Sequence, residues 1–542
     1  MSRDRALLAA AMLAILVLAA ALRLPRLAER PMHADEANQA VKAGRLYETG
    51  KYEYDTTDHH GPTLYWLTLP SLALSRAKSL ADSQEIAYRI VPVLFGLGLI
   101  PLILLLADGL GPVAVVAAVL LTAISPAMVF YSRYYIQEML LVFFTLAALG
   151  CGWRYLRTRR LGWILAVGAA VGMMHATKET WILSAAAAVG AAALTWGWSR
   201  LRDPIAASTE LASVRSGCAR LLPLLASILV GCVVAAAFFS MFGKNWDGPW
   251  QSIRAYANYF RRGSQQGDHS EPWYYYLQLL FAYWPSKKIF WSEGLIAVLA
   301  LVGTIYALAT RCTGQTKGRA AACAASPVLL LRFLAFYTLL LTVLYALISY
   351  KTPWCALNFL IGMILLAGVG AAAILRCLPN WPLKLVAALV LAVGAGHLAW
   401  QADQLSFNPR YFADPKNPYV YAHTPTPLPN VTARLDRLVA QLPQGRDLWV
   451  QVVVTDNYWP LPWYLRRFNE QRVCYWLDAK VWKRDLDQYP PPAILMLSGD
   501  VDSDDLTARL AGYGGPVYAS LRPGVLLAIY VRKDLWPAYT GL

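Results

Sequence analysis

Asp35 and Glu36 are adjacent carboxylates in HADEANQA, just past the first long apolar run. More charges stand at the mouths of later apolar runs: Arg89, then Arg133 and Glu138 in SPAMVFYSRYYIQE (125–138), Lys178 and Glu179 in HATKETW (175–181), and Lys351 in SYKTPW (349–354). Ionisable groups at the edge of a hydrocarbon layer are costly to keep, and function is the first explanation for them. A carboxylate can take a proton from a nucleophile or hold a cation. Guanidinium and ammonium groups stabilise charge developing on a leaving phosphate. Both signs at one depth look like an active site for a charged, lipid-borne substrate. Plainer readings stand beside this one. Asp35-Glu36 fits a helix N-cap followed by a first-turn acid. A lone Arg at a span end fits snorkelling, which the short stem of Glu138 fits less well. Asp58-His59-His60, in TTDHHGPTLYW (56–66), reads either as metal ligands or as a turn before Gly61-Pro62.

The elements that carry these residues follow from composition. Of 542 residues, 57% are hydrophobic and 15% charged, which excludes a soluble domain of this size. Apolar runs near 7–22, 90–107, 112–131, 138–155, 161–176, 181–198, 222–241, 290–309, 328–349, 354–375 and 382–400 predict a polytopic α-helical membrane protein of about eleven spans. The first run is read as an uncleaved span, not a signal peptide, because the residues after it belong to the charged set. With the N-terminus cytoplasmic, sixteen Lys and Arg fall in the cytoplasmic connections: at the N-terminus, 154–160, 200–220, 311–332, and Arg376 with Lys384. The net charge of +16 therefore reports membrane orientation and no nucleic-acid partner. The same alternation places the 23–88 and 242–289 loops, the SYKTPW turn and everything after about residue 401 outside. The protein is expected in the plasma (inner) membrane. Tyr274 to Trp284 is too short to span and reads as an interfacial helix.

Residues 1–400 thus form the membrane domain, 401–423 a linker, and 424–542 a small extracytoplasmic α/β domain. Strands are expected at 448–455, 493–499 and 525–533, and helices near 431–442 and 503–511. Within that domain TDNYWPLPWYLRR (455–467) reads equally as a binding loop or as a surface packed on the membrane domain. The eight cysteines show neither a disulfide framework nor metal-type spacing.

DE after the first span, HGP before the second, and SP…YSRYYIQE between the third and fourth resemble the GT-C glycosyltransferases, in particular the protein O-mannosyltransferase and lipid A aminoarabinose-transferase superfamily. TKETW, SYKTPW and YWPLPWYLR (458–466) are similar to the family labelled flippase-activity-associated. One departure is Glu138, which stands where that pattern has Asp. The resemblance implies inverting transfer of a hexosyl or pentosyl group from a polyprenyl-phosphate-linked sugar to an extracytoplasmic glycan, lipid or protein acceptor. It implies Asp35 as general base, with Glu36 and Glu138 as further acids that orient the acceptor or a cation. Arg133, Lys178, Lys351 and Arg89 would bind the donor phosphate, and His60, Glu179, Tyr350 and Trp354 would contact substrate. No cofactor is assigned; some relatives use a divalent cation.

Two other functions fit a polytopic chain. A flippase or transporter of lipid-linked oligosaccharide needs broken helices and polar residues at mid-membrane, whereas the charges here lie at one rim. A membrane scaffold requires no carboxylates at that rim.

Overall fold

A chain in hydrocarbon must satisfy its backbone internally, so its long apolar runs fold as helices. In the structure, a computed structural model, residues 3–541 are described except 53, 57–59, 203–217, 265–269, 312–326, 444, 455–456 and 498–503. Every apolar run of the sequence is a helix. Among the described residues, seven helices are long and apolar enough to cross a membrane: Glu85–Leu110, Glu138–Thr158, Trp181–Arg202, Leu221–Phe239, Pro327–Leu347, Pro353–Cys377 and Trp381–Phe407. The run expected at 112–131 is two helices, Pro112–Ile124 and Pro126–Ser132, bent by 56°. Pro126 is the cause: it cannot donate to the helical ladder, and Ser125 caps the second helix by accepting from the Met128 N–H. Leu8–Ala21, Leu161–Thr177 and Gly294–Ala309 are shorter apolar helices.

The Leu357–Cys377 helix is buried along almost its whole length and forms the centre of the bundle. Trp381–Phe407 and Leu221–Phe239 are apolar and mostly exposed, as lipid-facing helices must be. Small residues bring helices close: a Cβ on Gly172 would stand 2.4 Å from the Gly231 carbonyl oxygen of the neighbouring helix.

The two long loops expected outside are more ordered than their sequence suggests. Residues 23–88 carry two helices, Ala34–Thr49 and Thr63–Leu74. Residues 242–289 carry Asp247–Ser264 and, inside the expected interfacial stretch, Tyr275–Phe281, followed by the antiparallel strands β1 (Tyr283–Ser286) and β2 (Ile289–Trp291). The expected linker is not a free spacer. The Trp381–Phe407 helix runs into it, and the turns that follow bury Asn417, His423 and Thr424 against the membrane domain.

The C-terminal domain is a five-stranded mixed sheet in the order β4-β3-β5-β7-β6, from β3 (Val450–Val453), β4 (Val473–Trp476), β5 (Ala493–Leu497), β6 (Tyr513–Arg522) and β7 (Val525–Arg532). β4 and β5 run parallel to β3 on either side; β7 and β6 are antiparallel. Helices occur at Leu428–Gln441, Ala479–Gln488 and Asp504–Arg509. Trp463 of the PLPWYLR segment is fully buried in a cluster with Tyr88 and Tyr135 of the membrane domain. Its indole donates to Glu85 at 3.1 Å, and Arg466 donates to the Ser83 carbonyl at 2.9 Å. Of the two readings of that segment, the structure takes packing on the membrane domain.

Candidate active site

The Ala34–Thr49 helix begins with a capping box. His33 is its N-cap: the His33 Nδ1 accepts from the Asp35 N–H at 3.0 Å, and Glu36 Oε2 accepts from the His33 N–H at 3.2 Å. The cap is His33, so Asp35 is not needed as one. Glu36 turns inward and is fully buried. Arg89 grips it with both Nε and Nη2 at 2.8 Å, Arg30 reaches it at 3.1 Å, and the Tyr135 N–H donates to it at 2.9 Å. Burial pushes the Glu36 carboxyl up; Arg30 and Arg89 outweigh burial and hold it at about 2. Asp35, one position earlier, is half-buried, and among the described residues its carboxylate has no hydrogen-bond or ion-pair partner. Two adjacent acids thus have opposite situations, one neutralised inside the fold and one open.

Arg89 and Arg133 were expected at a donor phosphate, but their donors meet protein acceptors instead. Arg89 also donates to the carbonyls of Leu27, Arg30 and Pro31. Arg133 donates to the carbonyls of Arg23, Pro25 and Arg26 at 2.8, 2.6 and 3.2 Å and lies 4.2 Å over the Phe407 ring. Both pin the segment, residues 23–31, that follows the first helix. Arg23, which sequence reading passed over, does the same from the other side through the Thr122 and Ala123 carbonyls.

Glu138 and Lys178 form a second buried group as a direct ion pair. Burial lowers the Lys178 pKa, and Glu138 reverses this and raises it. The Glu179 carboxylate, next in sequence, joins a third group: it takes His60 Nδ1 at 2.9 Å and the Tyr54 hydroxyl at 3.0 Å. Burial opposes ionisation of Glu179, yet His60 and Tyr54 bring its pKa down. Gly61 makes this contact possible. A Cβ there would lie 2.1 Å from the Ala176 carbonyl oxygen, which Thr63 also bonds at 2.6 Å, so the HGP turn lies directly on the TKETW turn. Lys351 stands apart: its ammonium donates to the Glu271 carbonyl at 3.0 Å and to that of Ile348. Tyr350 is exposed and bridges Ser270, whereas Trp354 is buried.

Trp354 packs beside the first group. Its ring is 6.0 Å from His33, 5.9 Å from Tyr134 and 6.5 Å from Tyr131. Residues near 419–424 close the same space: Thr424 Oγ1 donates to the Met32 carbonyl at 2.8 Å, and the Tyr419 hydroxyl donates to Glu293 at 2.7 Å. Glu293, also accepting from Ser125 Oγ at 2.6 Å and the Ala127 N–H at 2.8 Å, ties the bent helix pair to that strap. The sequence signal for Glu293 was a Glu opening an apolar run; His33, His423 and Arg30 gave none. Among the described residues no three His, Cys, Asp or Glu side chains assemble as a metal-ligand set, and Asp58 and His59 lie outside those residues.

Residues 13–242 match the sequence profile of the dolichyl-phosphate-mannose-protein mannosyltransferases. No curated protein sequence matches the chain closely enough to count as a relative. Among solved structures, it is similar to ArnT from Cupriavidus metallidurans in the apo state, with a TM-score of 0.58 at 15% identity over 97% of each chain. The same protein bound to undecaprenyl phosphate gives 0.58 at 14% identity, over 96% of this chain and 97% of that one. The archaeal oligosaccharyltransferase AglB from Archaeoglobus fulgidus, in complex with an inhibitory peptide and a dolichol-phosphate, gives 0.53 at 12% identity over 98% of this chain and 75% of that one. The chain shares the GT-C fold of these structures: a multi-pass helical membrane domain carrying a small C-terminal α/β domain.

Proposed function

We propose that this protein is a membrane glycosyltransferase that moves a sugar from a polyprenyl-phosphate donor to an extracytoplasmic acceptor. The observation that carries the proposal is the pairing of an open Asp35 with a neutralised Glu36 at the rim of the bundle. Asp35 takes the proton of the acceptor nucleophile as the glycosyl bond to phosphate breaks. Lys178 uses one of its three N–H donors on Glu138 and Lys351 uses two on carbonyls, so both keep N–H groups for the departing phosphate. Arg89, Arg133 and Glu36 serve by holding the Asp35 helix in place. Glu179 with His60, Tyr350 and Trp354 line the approaches. A divalent cation bound by Asp35 would compete with its use as a base, and no step here is routed through one. The lipid-bound and peptide-bound neighbours support the donor class and leave the acceptor open.

The test is incubation of the purified full chain with a panel of radiolabelled polyprenyl-phosphate hexoses and pentoses. Release of sugar, or its transfer to a membrane fraction, supports the reading. Lipid translocation in proteoliposomes with the sugar bond intact overturns it in favour of a flippase.

A further inference from the structure

Among the described residues, four buried polar atoms beside Asp35 have no hydrogen-bond partner: His33 Nε2, His423 Nε2, the Tyr134 hydroxyl and Arg30 Nε. Their residues are at most 7% exposed. They also form one cluster. The His33 and His423 rings are 4.9 Å apart, Tyr134 stacks on His423 at 5.3 Å, and Arg30 lies 4.8 Å over the other partner ring, Tyr134. Unpaired buried polar groups are rare and costly, and a group of them in one place marks where something polar is meant to sit.

The backbone fixes the ring proton of His33, whose Nδ1 accepts from the Asp35 N–H. His423 Nδ1 lies 3.0 Å from the Tyr421 backbone nitrogen and 3.2 Å from the Tyr421 carbonyl oxygen, so either tautomer has a backbone partner. A neutral imidazole whose Nδ1 accepts carries its proton on Nε2, so His33 Nε2 is a donor, and His423 Nε2 donates or accepts with its tautomer. Burial lowers the pKa of both rings, His423 well below the usual range, and keeps them neutral. The cluster therefore offers two uncharged imidazole nitrogens and a phenol, each able to bond a hydroxyl. The cation beside it, Arg30, has Nη2 engaged by Glu36 and the Arg133 carbonyl. Uncharged donors between aromatic faces suit sugar hydroxyls; a phosphate dianion requires uncompensated positive charge. The position agrees: His33 Nδ1 takes the Asp35 N–H and Trp354 packs against both His33 and Tyr134, so the cluster borders the open carboxylate, where a transferred sugar must sit beside its base.

We propose that His33, His423 and Tyr134 form the subsite that binds hydroxyl groups of the donor's sugar. This rests on the transferase reading above and adds the sugar-recognition residues to it. His423 comes from the strap that leads into the C-terminal domain, so this strap reads the donor as well as joining two domains.

The test uses full-length protein in nanodiscs and two probes: undecaprenyl phosphate, and the tightest binder among undecaprenyl-phosphate mannose, glucose, galactose and arabinose. His423→Phe keeps the ring stack and loses the polar ring atoms; His423→Gln restores a group that both donates and accepts; Tyr134→Phe removes the hydroxyl. His423→Phe and Tyr134→Phe are expected to weaken phosphosugar binding at least tenfold and leave undecaprenyl phosphate binding unchanged, with His423→Gln recovering most of the loss. Because the Tyr134 hydroxyl is unpaired in the fold, the apo melting temperature of Tyr134→Phe should equal or exceed that of the parent, whereas His423→Phe also strands the Tyr421 N–H and should melt somewhat lower. Equal weakening toward both probes, or no change toward either, overturns the assignment, as does a fall in melting temperature with unaltered selectivity. Failure of the parent to prefer any phosphosugar over the bare lipid overturns the transferase reading together with it. Parental preference with indifferent variants overturns the subsite alone.

Discussion

Arg89 holds both oxygens of the Glu36 carboxylate, Nε to Oε1 and Nη2 to Oε2, each at 2.8 Å, inside a site closed to solvent. A bidentate pair of this kind fixes the helix that presents Asp35. Breaking it from one side leaves a buried charge, so Arg89→Ala should cost about 3–5 kcal/mol of stability. The Glu36 carboxyl is lowered from 4.5 to about 2 in the fold. Its contribution is therefore complete above pH 4.5 and is lost as pH falls toward 2, in total about 3 kcal/mol. Melting temperature against pH should show this acid limb in the parent and a flatter one in Glu36→Gln.

The Lys178–Glu138 pair separates structure from chemistry. Lys178→Met alone strands a buried carboxylate and should destabilise by about 3–5 kcal/mol. Lys178→Met with Glu138→Leu should restore the melting temperature, since buried pairs are often replaceable by apolar residues. Transfer should remain absent in that double variant; parental turnover would make the pair purely structural.

Docking of the C-terminal domain reaches the site through Tyr464, whose hydroxyl accepts from the Met32 N–H at 2.9 Å, one residue before His33. Tyr464→Phe leaves that N–H unpaired, at about 1–3 kcal/mol. It should lower kcat more than it alters donor KM. Trp463→Ala, which empties a fully buried position, should cost about 3–5 kcal/mol and loosen the domain, as limited proteolysis can report.

Orientation is checked with reporters. Alkaline phosphatase fused after Lys51 or Lys416 should be active, and after Arg159 inactive. Activity at Arg159 would reverse the membrane sidedness of the site.

How much of this was legible beforehand follows physical lines. Apolar length alone located all seven long apolar helices, because hydrocarbon leaves the backbone little choice; it also counted as spans three runs that form shorter apolar helices. It did not reveal the bend at Pro126, since the residues on both sides are equally apolar. Thr63–Leu74 was hidden for a related reason: twelve apolar residues are too few to span, and they read as loop. In the C-terminal domain β4 is a four-residue strand and β6 opens on Gly-Gly-Pro, so neither shows a strand's alternation clearly. At the site, the charged residues were visible by type and position, but their partners were not. Nothing in the sequence tells that Arg89 grips Glu36 while Asp35 stays open, or that Arg133 folds back on three carbonyls. His33 and His423 lie 390 positions apart and carry no shared motif; only the strap's path brings their rings together.

The central claim, that Asp35 is the base, is tested most directly by the transfer rate of Asp35→Asn. Positioned bases contribute about 10²–10⁴-fold, so kcat should fall by that factor. Protein level and melting temperature should stay at parental values, because the carboxylate has no partner to lose. Asp35→Glu, which keeps the charge and moves the oxygen, should recover only part of the rate. A well-folded Asp35→Asn protein turning over within a few-fold of the parent would contradict the account.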